Sequence, residues 1–413
     1  MNLYTPSFNK QNSFEINRLY ILLLFLPPFW SCIITLYMLF KNPQKQTLFL
    51  FMLFYIICLT YTYPNYDTIL RYWTIHLNKV DSIFEDDPLS NIARIFSDSI
   101  DAYYFFFLYW ILTIYCFYKL ITLHQNRISI YIIIISLFGL TWTNLMSLTY
   151  FTFSTTTSLY LYEKYKNKYI LYIIVLFIAY FLHPGILLVL IPTMGLHILL
   201  FNNKYKLAIL YLIAYYLITF TLFNGYSINT FDHPFLTSFT QGFNNYTSDD
   251  NIWGSLKKDF GIRGFIWDLE QYTFFFIILF FIKKHFKAIK EYTATSFYII
   301  SIITLINVIN FYTFTERIRI VCTLSGFILC ILLYRKKMLT KKMKILTMIL
   351  AILQFISATT LFVQPRNDLF KNPYNSYDIS TQIVYIPSFL LVIDIHDFGF
   401  NDQYLYKNSI NMW

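Results

Sequence analysis

Apolar runs long enough to cross a bilayer recur along nearly the whole chain, at residues 19–40, 48–63, 103–123, 128–150, 169–201, 207–223, 297–313, 318–334 and 345–362. A helix needs about 20 mostly apolar residues to traverse roughly 30 Å of hydrocarbon. Only helices and closed barrels satisfy their own backbone there, and the alternating short segments of a barrel are missing from the pattern. The runs therefore predict an all-α, polytopic integral membrane protein of about 10–12 transmembrane helices.

The polar material between the runs is sorted by sign. Lys41 and Lys45, Lys119 and Arg127, Lys164 to Lys168, Lys204 and Lys206, Lys283 to Lys290, and Arg335 to Lys344 all fall in short connections. Basic residues in short loops mark the cytoplasmic side. Placing all of them there requires an even number of crossings between consecutive groups. That condition splits 128–162 near Asn144 and splits 169–201 at His183-Pro184-Gly185. As one helix the second of these would run about 50 Å, too long for a single pass, and Pro-Gly is where a chain turns.

The same walk places two sizeable loops outside, 64–102 and 224–271, both richer in acids than in bases. Both termini also fall outside. Residues 1–363 read as one membrane domain and 364–413 as an external tail, whose stretch 382–393 reads as interfacial. The stretch 272–282 reads as a short span. Loops of this length are uncommon unless functional or disordered, so a site over the external leaflet is expected.

Composition narrows the picture further. Charged residues make up 13% of the chain, against about 25% in a soluble domain. The net charge of +10 suggests nucleic acid until its position is considered. It lies in the connections, where it sets topology, so no nucleic-acid partner is expected. The 44 Phe and 37 Tyr fit in part an interfacial aromatic belt. Cys32, Cys58, Cys116, Cys322 and Cys330 all lie in apolar runs without metal-ligand spacing, and read as small buried hydrophobes. The first apolar run is too long for a signal-peptide core and reads as a retained span.

Ionisable groups in or beside spans are costly and tend to mark function. Asp67 and Arg71 follow the second run, four residues apart, and share one face if helical. They make either an ordinary interfacial ion pair or a carboxylate and guanidinium at the mouth of a site. His183 stands before Pro184 in FIAYFLHPGILLVL, as a structural histidine on a freed carbonyl, a general base or a contact to a substrate hydroxyl.

Glu316, Arg317 and Arg319 fall on the outer side, against the positive-inside trend. Either an anionic partner such as a diphosphate or self-neutralisation explains them. Arg263, near Gly261 and Gly264, is a ligand contact or a solvated loop residue, and Asp232, His233 and Asp268 are further proton carriers. No nucleotide loop, HExxH, CxxC or catalytic-triad spacing occurs, so neither metal nor cofactor is expected. A donor then arrives through the membrane on a lipid.

In order of parts, the chain resembles the EpsG family of Wzy-like polysaccharide polymerases over about residues 19–335. The likeness rests on Tyr66-Asp67 through Arg71-Tyr72-Trp73 after the second span, the acidic stretch 81–101, Phe181-Leu182-His183-Pro184-Gly185-Ile186-Leu187, and Arg317 near a late span boundary. It departs at Asn144-Leu145-Met146-Ser147-Leu148, where the family often carries an Arg-Gln pair.

The resemblance implies a glycosyltransferase in the inner membrane of a bacterium. Such an enzyme polymerises polyprenyl-diphosphate-linked oligosaccharides at the external face, for capsule, exopolysaccharide or O-antigen, with a chain-length regulator as a usual partner. Asp67, His183 and Arg317 would then be catalytic, with Arg71, Arg263 and Arg319 binding substrate. Competing classes are a transporter or flippase of lipid-linked sugars, an O-antigen ligase and a sugar acyltransferase. A transporter favours internal repeats and broken helices at mid-depth. A ligase typically has one dominant external loop.

Overall fold

The computed structural model describes residues 20–60, 88–96, 102–124, 128–142, 149–166, 168, 170–225, 261–309, 311–363 and 384–393. Among the described residues the regular elements are helices and there is no strand. The chain forms two compact units, residues 1–64 with 365–413, and residues 65–364.

The first unit is built on a packed helix pair, α1 (Pro28–Lys41) and α2 (Lys45–Thr60). The apolar run 19–40 is not one helix, because Pro27 and Pro28 interrupt it. Proline brings no N–H and its ring blocks the preceding turn, so the new helix starts at Pro28 and the Leu26 carbonyl lies just outside it. Ser388 bonds that carbonyl twice, donating from its backbone N–H at 2.9 Å and from Oγ at 2.7 Å. Trp30 Nε1 donates to the Val384 carbonyl at 3.1 Å, and the Phe25 and Phe389 rings meet at 5.1 Å. Residues 384–393 are thus packed on the first two helices. The thiols of Cys32 and Cys58 are free and stand 3.9 Å apart.

The second unit runs through α3 (Pro88–Phe96), α4 (Ala102–His124), α5 (Ile130–Trp142), α6 (Thr149–Tyr165) and α7 (Ile170–Leu182). A 3-10 turn (Pro184–Ile186) leads into α8 (Leu187–Phe201), and α9 (Tyr205–Gly225) follows. The later helices are α10 (Gly261–Ile289), α11 (Thr293–Val308), α12 (Tyr312–Arg335) and α13 (Lys341–Val363). At the centre is α12, packed on α4, α5, α6, α10 and α11. Within Phe314–Arg335, 94% of the apolar 18-residue window is buried. By contrast only 22% of the equivalent window within Tyr205–Phe223 of α9 is buried, and Leu210, Ile213, Leu217 and Ile218 point outward. Among the described residues three helical segments are long and apolar enough to cross a membrane: Pro184–Phe201, Tyr205–Phe223 and Phe314–Arg335.

Polar side chains inside this bundle mostly answer their own backbone. Thr155 donates to the Phe151 carbonyl at 2.8 Å, Thr156 to Thr152 at 2.7 Å and Ser325 to Val321 at 2.6 Å. Such back-bonding lets a hydroxyl sit in an apolar surrounding without a solvent partner. Pro192 inside α8 frees the Leu188 carbonyl one turn back, and Tyr215 of α9 donates to it at 3.2 Å.

The stretch 272–282, expected as a short span, belongs to the 29-residue helix α10, which kinks at His285 (φ −118°, ψ 17°). Residues 261–271, assigned from the pattern to the second external loop, are its first three turns. Burial, with Lys284 beside it, pushes the His285 imidazole below its ordinary pKa.

The lysine-bearing connections meet at one end of this unit. Lys166 donates to the Glu291 carbonyl at 3.3 Å and stands 4.6 Å from the centre of the Tyr292 ring. Lys336 shares that ring at 5.1 Å and donates to the Ala288 carbonyl at 2.8 Å. Lys290 donates to Asn203 Oδ1, and to Tyr205 Oη at 2.6 Å. The links α6–α7, α8–α9, α10–α11 and α12–α13 are therefore neighbours, as the even-crossing condition requires. Between the first two the chain runs out along α7, reverses at His183–Gly185 and returns along α8.

Candidate functional site

The arginines sit where α12 begins, at the end of the unit away from the lysine connections. Thr315 Oγ1 donates to the Val308 carbonyl at 2.7 Å and ties this start to the end of α11. Arg317 and Arg319 are 6% and 4% exposed, which contradicts a picture of solvated loop residues. Arg319 is clamped. Its Nη1 lies 2.8 Å from Asp268 Oδ1 of α10 and 2.9 Å from Glu316 Oε1, and its Nη2 donates to the Tyr272 hydroxyl at 2.8 Å. The Tyr272 ring centre stands 5.1 Å from the guanidinium carbon. The self-neutralised alternative thus describes Arg319, with Asp268 as a second acid that spacing alone did not join to it. Arg317, two residues earlier, projects from a different side of the helix.

His183 occupies the reversal between α7 and the 3-10 turn, at the same end. Its backbone is extended (φ −168°, ψ 112°), and its Nδ1 accepts the Gly185 N–H at 3.1 Å. The Phe151 ring of α6 meets the imidazole edge-on at 5.3 Å. The histidine therefore caps an amide, where the bland expectation had it donating to a freed carbonyl. With Nδ1 an acceptor, the proton of the neutral ring resides on Nε2. In that state Nε2 is a hydrogen-bond donor.

Asp67 and Arg71 lie outside the described residues, as do Asp232 and His233. Arg263 falls within α10, with its side chain outside them too. Among the described residues no group of three His, Cys, Asp or Glu side chains gathers to hold a metal ion.

Two features escaped sequence reasoning. One is Gln271, fully buried on α10, one turn beyond Asp268, with neither its Oε1 nor its Nε2 hydrogen-bonded. Its signal was hidden because 261–271 read as loop. The other is a network at the lysine end. There Glu163 accepts the Thr293 N–H at 2.9 Å and the Thr293 hydroxyl, and pairs with Lys166 at 2.8 Å. Beside it the Tyr162 hydroxyl lies 2.9 Å from His197 Nδ1, while His197 Nε2 donates to the Glu291 carbonyl at 3.2 Å. Glu163 thus caps α11 from another helix, and the network joins α6, α8 and α11. Comparison with protein-family models, curated proteins and solved structures finds no match.

Proposed function

We propose that this chain is a membrane-embedded polysaccharide polymerase with about 10–12 crossings and both termini external. It joins oligosaccharide repeat units carried on polyprenyl diphosphate at the external face of the bacterial inner membrane. The observation that carries the proposal is the pair of buried arginines at the start of the most enclosed helix. They lie at the end of the unit opposite the lysine connections and share that end with the His183 reversal.

In the reaction the anomeric carbon–oxygen bond to the diphosphate breaks. The hydroxyl oxygen of the acceptor sugar bonds to that carbon, and its proton passes to a base. Arg317 stabilises the departing diphosphate, an electrostatic role that requires no metal. Arg319, held by two acids, fixes the geometry beside it, and Arg263 belongs to the same substrate surface. His183, a donor through Nε2, orients a sugar hydroxyl. The base role then falls to Asp67, with Arg71 in support.

Gene deletion, followed by gel analysis of surface polysaccharide and of the lipid-linked pool, tests this. Loss of long polymer with single repeat units still exported is expected. Lipid-linked units trapped on the cytoplasmic side would indicate a flippase instead. If Arg317→Ala and His183→Ala both left polymer length and amount unchanged, their assigned roles would fall.

A further inference from the structure

From the facing surfaces of α10 and α12 we infer a second subsite, formed by Gln271, Thr323 and the Nε edge of Arg319, that takes an uncharged, hydroxyl-bearing group. The two helices run in the same direction. Arg319 meets Asp268 and Tyr272, and seven residues on, a methyl group added to Gly326 would stand 3.1 Å from Phe274 Cε1 and 3.4 Å from Ile278 Cγ1. Gln271, Phe274 and Ile278 form one stripe of α10, at i, i+3 and i+7. Arg319, Thr323 and Gly326 form the stripe of α12 that faces it. Gln271 and Thr323 therefore both lie between the arginine clamp and the close packing at Gly326.

Their polar atoms are unanswered. Gln271 and Thr323 are both 0% exposed, and the Gln271 amide, Thr323 Oγ1 and Arg319 Nε make no hydrogen bond. On the same helix Ser325 bonds the carbonyl four residues back. Thr152, Ser158, Thr193 and Ser296 elsewhere in the unit also lack a partner, but among the described residues only here does an unbonded hydroxyl share a helix pair with an unbonded amide. Burying a polar group unpaired is costly, and several such groups on one pair of stripes point to a ligand.

Charge and donor pattern give its class. Asp268 and Glu316 both pair with Arg319, so that guanidinium brings no excess positive charge to the subsite. The free atoms mix donors with acceptors: the amide NH2 and Nε–H donate, the amide oxygen accepts, and the hydroxyl does both. Sugar hydroxyls match that mixture, whereas a phosphate presents only acceptors to an acceptor. Assigning the subsite to the acceptor sugar rests on the polymerase reading. The uncharged class of its ligand does not.

The test uses the full-length protein in lipid nanodiscs, with its thermal unfolding midpoint recorded against glucose, galactose, N-acetylglucosamine and inorganic pyrophosphate. At least one sugar is expected to raise the midpoint through this subsite, whereas any pyrophosphate shift belongs to Arg317 and is expected to persist in both variants that follow. Gln271→Leu and the near-isosteric Thr323→Val are expected to abolish the sugar shift, about tenfold weaker binding or more. Without ligand, Gln271→Leu is expected to raise the midpoint by about 2–4 °C, because an unpaired amide leaves the interior.

A fall in that midpoint would mean that the amide has a structural partner, and would overturn the inference. So would no shift with any sugar, or a pyrophosphate shift that is lost in both variants. A sugar shift lost in either variant, in a protein whose deletion leaves surface polysaccharide intact, would keep the subsite and reject the polymerase.

Discussion

At the scale of single residues, burial separates groups that look alike in sequence. Arg317 and Arg319, two positions apart, are both buried, unlike arginines of a solvated connection, and Arg319 is held by Asp268, Glu316 and Tyr272. Gly185 is as constrained as its histidine neighbour. An added methyl there would stand 3.0 Å from His183 Cε1 and 3.1 Å from Nδ1. Gly185→Ala is therefore expected to push the imidazole off its cap and destabilise the protein by about 1–3 kcal/mol, read as a lower thermal midpoint. An unchanged midpoint would place the ring elsewhere. His183 and the arginines were legible because ionisable groups in apolar runs are conspicuous. Gln271 was not, since a neutral amide among acids reads as loop.

Among the helices, the fastening of α11 to α6 is the clearest energetic claim. Glu163 places a carboxylate on the N-terminus of α11, where the unsatisfied N–H groups and the helix dipole favour it. Glu163→Gln and Thr293→Ala are each expected to cost about 1–2 kcal/mol. The double variant should cost clearly less than their sum, by 0.5 kcal/mol or roughly more. Additive costs, measured by thermal or denaturant unfolding, would sever the two.

Helix existence followed from the apolar runs, but two helix limits did not. α1 begins only after Pro27, because the proline break is invisible in hydrophobicity. α10 begins eleven residues before its apolar stretch, and at the end of those turns Asp268 and Tyr272 meet Arg319 while Gln271 is buried.

For the whole chain, the sorting of charge and the packing of the second unit agree. Lysines separated by well over a hundred residues share one tyrosine ring at Tyr292. In a protein cleared of native cysteines, Lys168→Cys, Lys204→Cys and Lys336→Cys are expected to react with a membrane-impermeant maleimide from one side only. Ile309→Cys, at the far end and exposed, should react from the other. Labelling of Lys168→Cys and Lys336→Cys from opposite sides would break the topology. The even-crossing condition was legible because charge placement follows membrane insertion. Which helix occupies the centre was not, since α12 is no more apolar than its neighbours and owes its place to packing.

The Leu26 carbonyl, bonded by Ser388 from 362 residues further along, ties the maturation of an early-made part of the chain to one made much later. At about 5–20 residues per second of synthesis, the first helix pair waits roughly 20–70 s for its seal to leave the ribosome. A premature stop late in the message would leave most of the helices made but the opening hairpin unsealed, exposing a peptide carbonyl at its proline break. Surveillance of truncated products would then find its mark near the amino terminus, far in sequence from the lesion that produced it.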